Sequence, residues 1–116
     1  MHGEAESADV TDWAQIDQLY AMLEAVAPGP VVTLNRAVAA AEANGPDVGL
    51  RLIEPLLADP RLRRTHRLHA VHAHLLELDG RPEAAHAAYL HAAQLATSIP
   101  EQRHLHAAAK RLIPDH

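Results

Sequence analysis

The chain predicts an all-α fold of about six helices, folded as antiparallel hairpins and stacked into a short superhelix. Three observations predict it. Alanine makes up about a fifth of the 116 residues and leucine is next, while Phe and Cys are absent and Trp13, Tyr20 and Tyr89 are the only aromatics. Ala and Leu lead the helix-propensity ranking, and the β-branched and aromatic residues that favour strands are few. Apolar residues recur at spacings of three and four, and Pro and Gly interrupt them at short intervals, so successive helices must turn back on one another.

The first segment runs from about Asp12 to Ala27. Asp12 and Gln15 have capping-box spacing, Trp13, Ile16, Tyr20, Leu23 and Val26 form one stripe, and Pro28-Gly29-Pro30 ends the helix. The second, about Val31 to Asn44, turns Leu34, Val38 and Ala41 inward and closes on Gly45 as a left-handed cap. Pro46 opens the third, which carries Leu50, Ile53 and Leu57 toward Asp59-Pro60; Pro55 inside it predicts a kink or an early end. The fourth runs from near Thr65 to Asp79-Gly80 with Leu68, Val71, Leu75 and Leu76 on its buried side. Pro82, tolerated in a first turn, begins the fifth, which buries Ala85, Tyr89, Ala92 and Leu95. Ser98 and Glu101 form a second capping box and open a sixth helix that ends near Arg111. Residues 12–112 thus read as one helical domain, with 1–11 an N-terminal remnant or linker and 113–116 a tail.

Charge and composition narrow the function. Residues 1–59 hold ten acids against Arg36 and Arg51, a net charge of −8, whereas 60–116 hold five acids against eight Lys/Arg, a net +3. The basic half is too sparse for a nucleic-acid footprint, and its one cluster, "RLRRTHR", reads as a solvated corner between helices, so no direct nucleic-acid contact is expected. Without cysteine there is no disulfide framework or thiol chemistry; without a signal peptide or an apolar run of membrane length, a cytoplasmic location with no membrane contact is expected. There is no Gly-rich phosphate loop and no nucleophile elbow, the only serines are Ser7 and Ser98, and the carboxylate pair Asp9/Asp12 lies at a helix start, so no enzyme and no cofactor are expected.

Gly45 and Gly80 each close one helix just before another, and they stand 35 residues apart, near the 34-residue period of tetratricopeptide hairpins. Around Gly80, Ala73 lies seven residues before and Ala85, Tyr89 and Ala92 lie five, nine and twelve after, small residues where paired helices approach and an aromatic where hairpins stack. Around Gly45 the small slots fall to Val38 and to Gly49 or Leu50. Carried backwards, the period makes Ile16, Tyr20, Leu23 and Pro28 part of a second helix whose first helix only "HGEAESA" precedes, so the chain is expected to begin partway through a repeat. That leaves the Trp13 helix a stripe to cover, and a homodimer through it is expected.

The strings Thr11-Asp12-Trp13, Leu34-Asn35-Arg36-Ala37-Val38-Ala39, Asn44-Gly45-Pro46 and His66-Arg67-Leu68-His69, in this order and spacing, resemble the C-terminal extension of a group of bacterial extracytoplasmic-function sigma factors. The resemblance covers about His2 to Leu112. It implies a tetratricopeptide-like regulatory module appended to sigma domains that grip RNA polymerase and the promoter. Neither sigma domain is in this sequence, so the function implied is protein–protein interaction in transcription initiation, with the sigma domains, RNA polymerase or a regulatory protein as partner. Pro55 and the many histidines depart from the family pattern.

In stacked hairpins the first helix of each pair lines a common groove. That places Asn35, Ala39 and Glu42 on one side of the second helix and Arg67, Ala70, His74 and Glu77 on the matching side of the fourth. With Arg36 they form a candidate peptide site: Asn bonds a main chain and Arg offers a planar fork to carboxylates. The alternative is that Asn35 braces a neighbouring turn and Arg36 is a solvated surface charge. Ten histidines raise a second alternative, a metal or catalytic site on His66, His69 and His72, which follow one another at three-residue spacing. His74 falls off that face and no Cys completes the set, so exposed or half-buried helical histidines are the simpler reading.

Overall fold

In the computed structural model, residues 12–112 are described, and the expected N-terminal remnant (1–11) and tail (113–116) lie outside them. The described residues form six helices and no strand. They are α1 (Trp13–Val26), α2 (Pro30–Asn44), α3 (Pro46–Leu57), α4 (His66–Leu78), α5 (Pro82–Leu95) and α6 (Ile99–Leu112).

Their ends follow local chemistry. Asp12 Oδ1 accepts from the Gln15 amide at 3.1 Å and starts α1. Gly45 alone separates α2 from α3, at φ 113°, and its amide donates to the Ala41 carbonyl. Gly80, at φ 77°, ends α4 in a Schellman arrangement: its own amide donates to Glu77 O and that of Arg81 to Leu76 O. At both places an L side chain would be strained, which is why glycine stands there. Ser98 Oγ accepts from the Glu101 amide at 3.3 Å and its hydroxyl donates to the Glu101 carboxylate, the second capping box.

The helix does not stop at Pro55. α3 runs through it and ends two residues later at Leu57, with the Ala58 amide still donating to Glu54 O. The proline sits in the last turn on an exposed side, where the carbonyl deprived of its donor can turn to water.

Consecutive helices pack on one another, and α2 also reaches α4. Contact is therefore between neighbours in the stack. The core falls into two layers. Leu34, Ala37, Ala41, Ile53, Leu68 and Leu75 join α2, α3 and α4; Ala73, Tyr89, Ala92, Ala93, Leu105 and Ala109 join α4, α5 and α6. Small residues do the joining because they let helix axes approach, and Gly49 is the extreme case. A Cβ there would stand 2.7 Å from the Ala37 carbonyl oxygen and 3.1 Å from Leu75 Cδ2. The buried set includes most of the residues expected inward, while Val38, Leu50, Leu57, Val71 and Leu95 are half-buried.

α1 is the exception, for none of its residues is fully buried. Trp13, Ile16 and Tyr20 of the expected stripe are half-buried, but Leu23 is 45% and Val26 83% exposed. The helix is clamped to α2 by polar contacts instead. Arg36 donates from Nη1 to Glu24 at 3.0 Å and reaches Asp17 at 3.4 Å, and Thr33 donates to Glu24 as well. The Thr33 bond, then the Arg36 guanidinium, hold Glu24 below its usual carboxylate range.

Candidate functional site

The alternation of helices puts α2, α4 and α6 on one side, and a cleft of about 370 Å³ opens among them. Val38, Ala70, Val71 and Leu105 are its apolar lining, and Tyr89 of α5 shows through from the core behind. His66, Arg67, His74, Glu101 and His104 supply its polar wall. An apolar floor with a few polar groups converging on it is the usual make-up of a ligand cleft.

Three polar ties cross between these alternate helices and frame the cleft. Arg67 Nη2 donates to Asn35 Oδ1 at 3.1 Å, from α4 to α2. His66 Nε2 bonds Glu101 Oε2 at 3.0 Å, from α4 to α6. Glu77, at the far end of α4, accepts from Arg111 at 2.7 and 3.2 Å and from the Tyr89 hydroxyl at 3.1 Å. The Asn35–Arg67, His66–Glu101 and Glu77–Arg111 bonds join side chains 32, 35 and 34 residues apart, close to one hairpin repeat, whereas Tyr89 is 12 from Glu77.

The expected site residues divide accordingly. Arg67 and His74 line the cleft, and Asn35 is at its rim as the partner of Arg67. Glu77 does not line the cleft but bonds Tyr89, which does, and Arg111. Glu42 is exposed and does not line the cleft, and Ala39 is buried in the helix packing. Arg36 does not belong to the site either. One residue along from Asn35 it points about 100° away, where the two carboxylates of α1 bind it and raise its pKa, Glu24 foremost. The solvated-charge alternative for Arg36 fails for the same reason.

Sequence reasoning missed His66, Glu101 and His104 as lining groups. Glu101 was accounted for as a cap, and it does both jobs: one oxygen receives Ser98 and the other His66. Nothing local signals the second, because it depends on α6 lying beside α4.

The histidines proposed as metal ligands are dispersed by the same geometry. His66 is spent on Glu101. His69 donates from Nε2 to the Arg63 carbonyl at 2.7 Å and meets His91 edge to face at 4.3 Å between ring centres. His72 faces a separate groove with Asp47, Arg51, Glu54 and Arg81. Burial pushes His69 below the ordinary imidazole value despite the Arg63 bond, and burial lowers His72, with the charge of His69 adding to it. Among the described residues no three His, Asp or Glu side chains are grouped to hold a metal ion. No helix among them is long and apolar enough to cross a membrane.

No protein-family model and no solved structure matches the chain. It is similar to an uncharacterized protein of Rhizobium meliloti (strain 1021), 41% identical over 105 residues, which is 90% of this chain and 24% of the relative. The chain thus spans about a quarter of the length of that relative.

Proposed function

We propose that this chain is a tetratricopeptide-like interaction module of an extracytoplasmic-function sigma factor, acting in the cytoplasm without catalysis to regulate transcription initiation. Its cleft receives an extended segment of a protein partner: the sigma domains themselves, RNA polymerase or a regulatory protein. The observation that carries the reading is the cleft among α2, α4 and α6, where an apolar floor runs beneath Arg67, His66, His74 and His104. Such a surface suits a peptide with an apolar side chain to bury and a carboxylate to offer the guanidinium. Asn35 then has a defined part: it holds Arg67 in place by accepting from it, and presents its own amide N–H groups at the rim. The repeat period, the sequence resemblance, and a relative in which a chain of this kind makes up only a quarter of the length all support a module working within a larger assembly.

Site-specific crosslinking tests it. A benzophenone side chain at His74 should crosslink in cells to sigma domains, polymerase or a regulator, and Arg67→Ala in the same chain should reduce the yield at least tenfold with the helical circular dichroism unchanged. The same probe at exposed Glu42 is the control. Equal crosslinking from both positions, or a yield indifferent to Arg67→Ala, overturns the cleft as the binding surface.

A further inference from the structure

We propose that the outer face of α1 is a self-association surface that pairs two copies of this chain about a two-fold axis, helix against antiparallel helix. Leu19, Met22, Leu23 and Val26 are 57, 65, 45 and 83% exposed. They stand at i, i+3, i+4 and i+7, the spacing by which a helix presents one apolar stripe to a packing partner. The side chains between them on the exposed surface, Gln18 and Ala25, are uncharged. The only acids of α1, Asp17 and Glu24, are drawn to the α2 side by Arg36. The seam itself therefore carries no charged side chain of α1, and the net −8 of residues 1–59 acts only from its flanks, where salt screens it.

The other end of the stack decides which contact forms. There α6 exposes Arg103, His106 and Lys110. Setting an α1 seam on that surface would strip water from charged groups with no partner in return. It would also leave an α1 seam open at the end of every assembly, a head-to-tail contact that propagates. Pairing α1 with α1 matches apolar with apolar and closes after two copies. The seam spans two turns, about 10 Å. Apolar patches on the order of 500 Å² are at the upper end for a monomer. Two of them buried together total about 1,000 Å², the lower end of specific interfaces, so the dimer forms reversibly with concentration. The seam is rotated from the Trp13 stripe that the sequence points to, since Trp13, Ile16 and Tyr20 are already half-buried. It stands apart from the cleft, and its test does not depend on what the cleft binds.

Sedimentation equilibrium of the full chain, loaded from about 5 to about 500 μM to bracket an interface of this size, should fit a monomer–dimer equilibrium. Val26→Lys and, separately, Met22→Gln should each weaken association at least tenfold without loss of helical signal, because both side chains are exposed and Lys suits a helix C-terminus. Lys110→Ala should leave it unchanged. A monomer across the whole range overturns the proposal, as it would if the seam served another partner. So does a dimer that survives both α1 variants or is broken by Lys110→Ala.

Discussion

Glu77 accepts three hydrogen bonds, and its neighbours set its charge. Arg111, bonding it twice, holds its carboxyl below the usual range, with the Tyr89 hydroxyl contributing. Tyr89 is pushed the other way, up to about 12, by burial first and by the Glu77 carboxylate second. At neutral pH the phenol is therefore the donor and the carboxylate the acceptor. Tyr89→Phe keeps the ring in the core, which is 7% exposed, and removes only that donor. It should cost about 1.5–3 kcal/mol, the net worth of a hydrogen bond to a charged group. Urea unfolding checks it, with the midpoint lowered and the slope unchanged. A variant as stable as the parent would mean that Arg111 alone satisfies the carboxylate.

Helix packing depends on the small residues at the crossings. Substituting Gly49 by Ala favours the isolated helix by about 1 kcal/mol. In the fold the new methyl would meet the Ala37 carbonyl, which is backbone and cannot swing aside, together with Ala41 Cβ at 3.0 Å. Overpacking of this kind costs about 1–3 kcal/mol, so Gly49→Ala should lower the melting temperature despite the better helix former. A raised melting temperature would show that α3 can shift outward. The spacing of the repeats narrows the close approach to Gly49 or Leu50, and packing selects Gly49. Pro55 was not legible in this way. The sequence shows that a donor is missing but not that the deprived carbonyl lies in an exposed last turn, and so the helix does not stop at Pro55.

For the molecule as a whole, pH acts through burial. His69 and His72 are both depressed, so the fold holds them neutral where the unfolded chain binds protons at the ordinary value of 6.5. Above that value neither state is protonated and nothing changes. As pH falls below 6.5 the unfolded chain gains protons first, and stability declines until the folded values are reached. Glu24 and Glu77 act in the same direction but only below the ordinary glutamate value of 4.5, where the unfolded carboxylates take up protons before the paired ones. Loss of melting temperature between pH 6.5 and 5 should therefore report the histidines. It should shrink in His72→Asn, measured by circular dichroism at constant ionic strength. An equal loss in that variant would locate the sensitivity elsewhere.

By itself the sequence determined the all-α class, the number and order of helices, their caps and the hairpin turns. These follow from groups within four residues of one another: Asp12 with Gln15, Ser98 with Glu101, and a glycine where φ must be positive. It also placed Arg67 and His74 on a shared side, because helical period is local. Only the tertiary structure decided what each charged side chain does there. Arg36 goes to α1 and not to the cleft, His66 to Glu101 and not to a metal set, and Asn35 to Arg67. Those choices rest on the rotation of each helix about its axis and on partners up to 35 residues away. One residue, about 100° of helix, separates the groove from the flank, and which side turns inward is set by how alanine and glycine let neighbouring backbones approach.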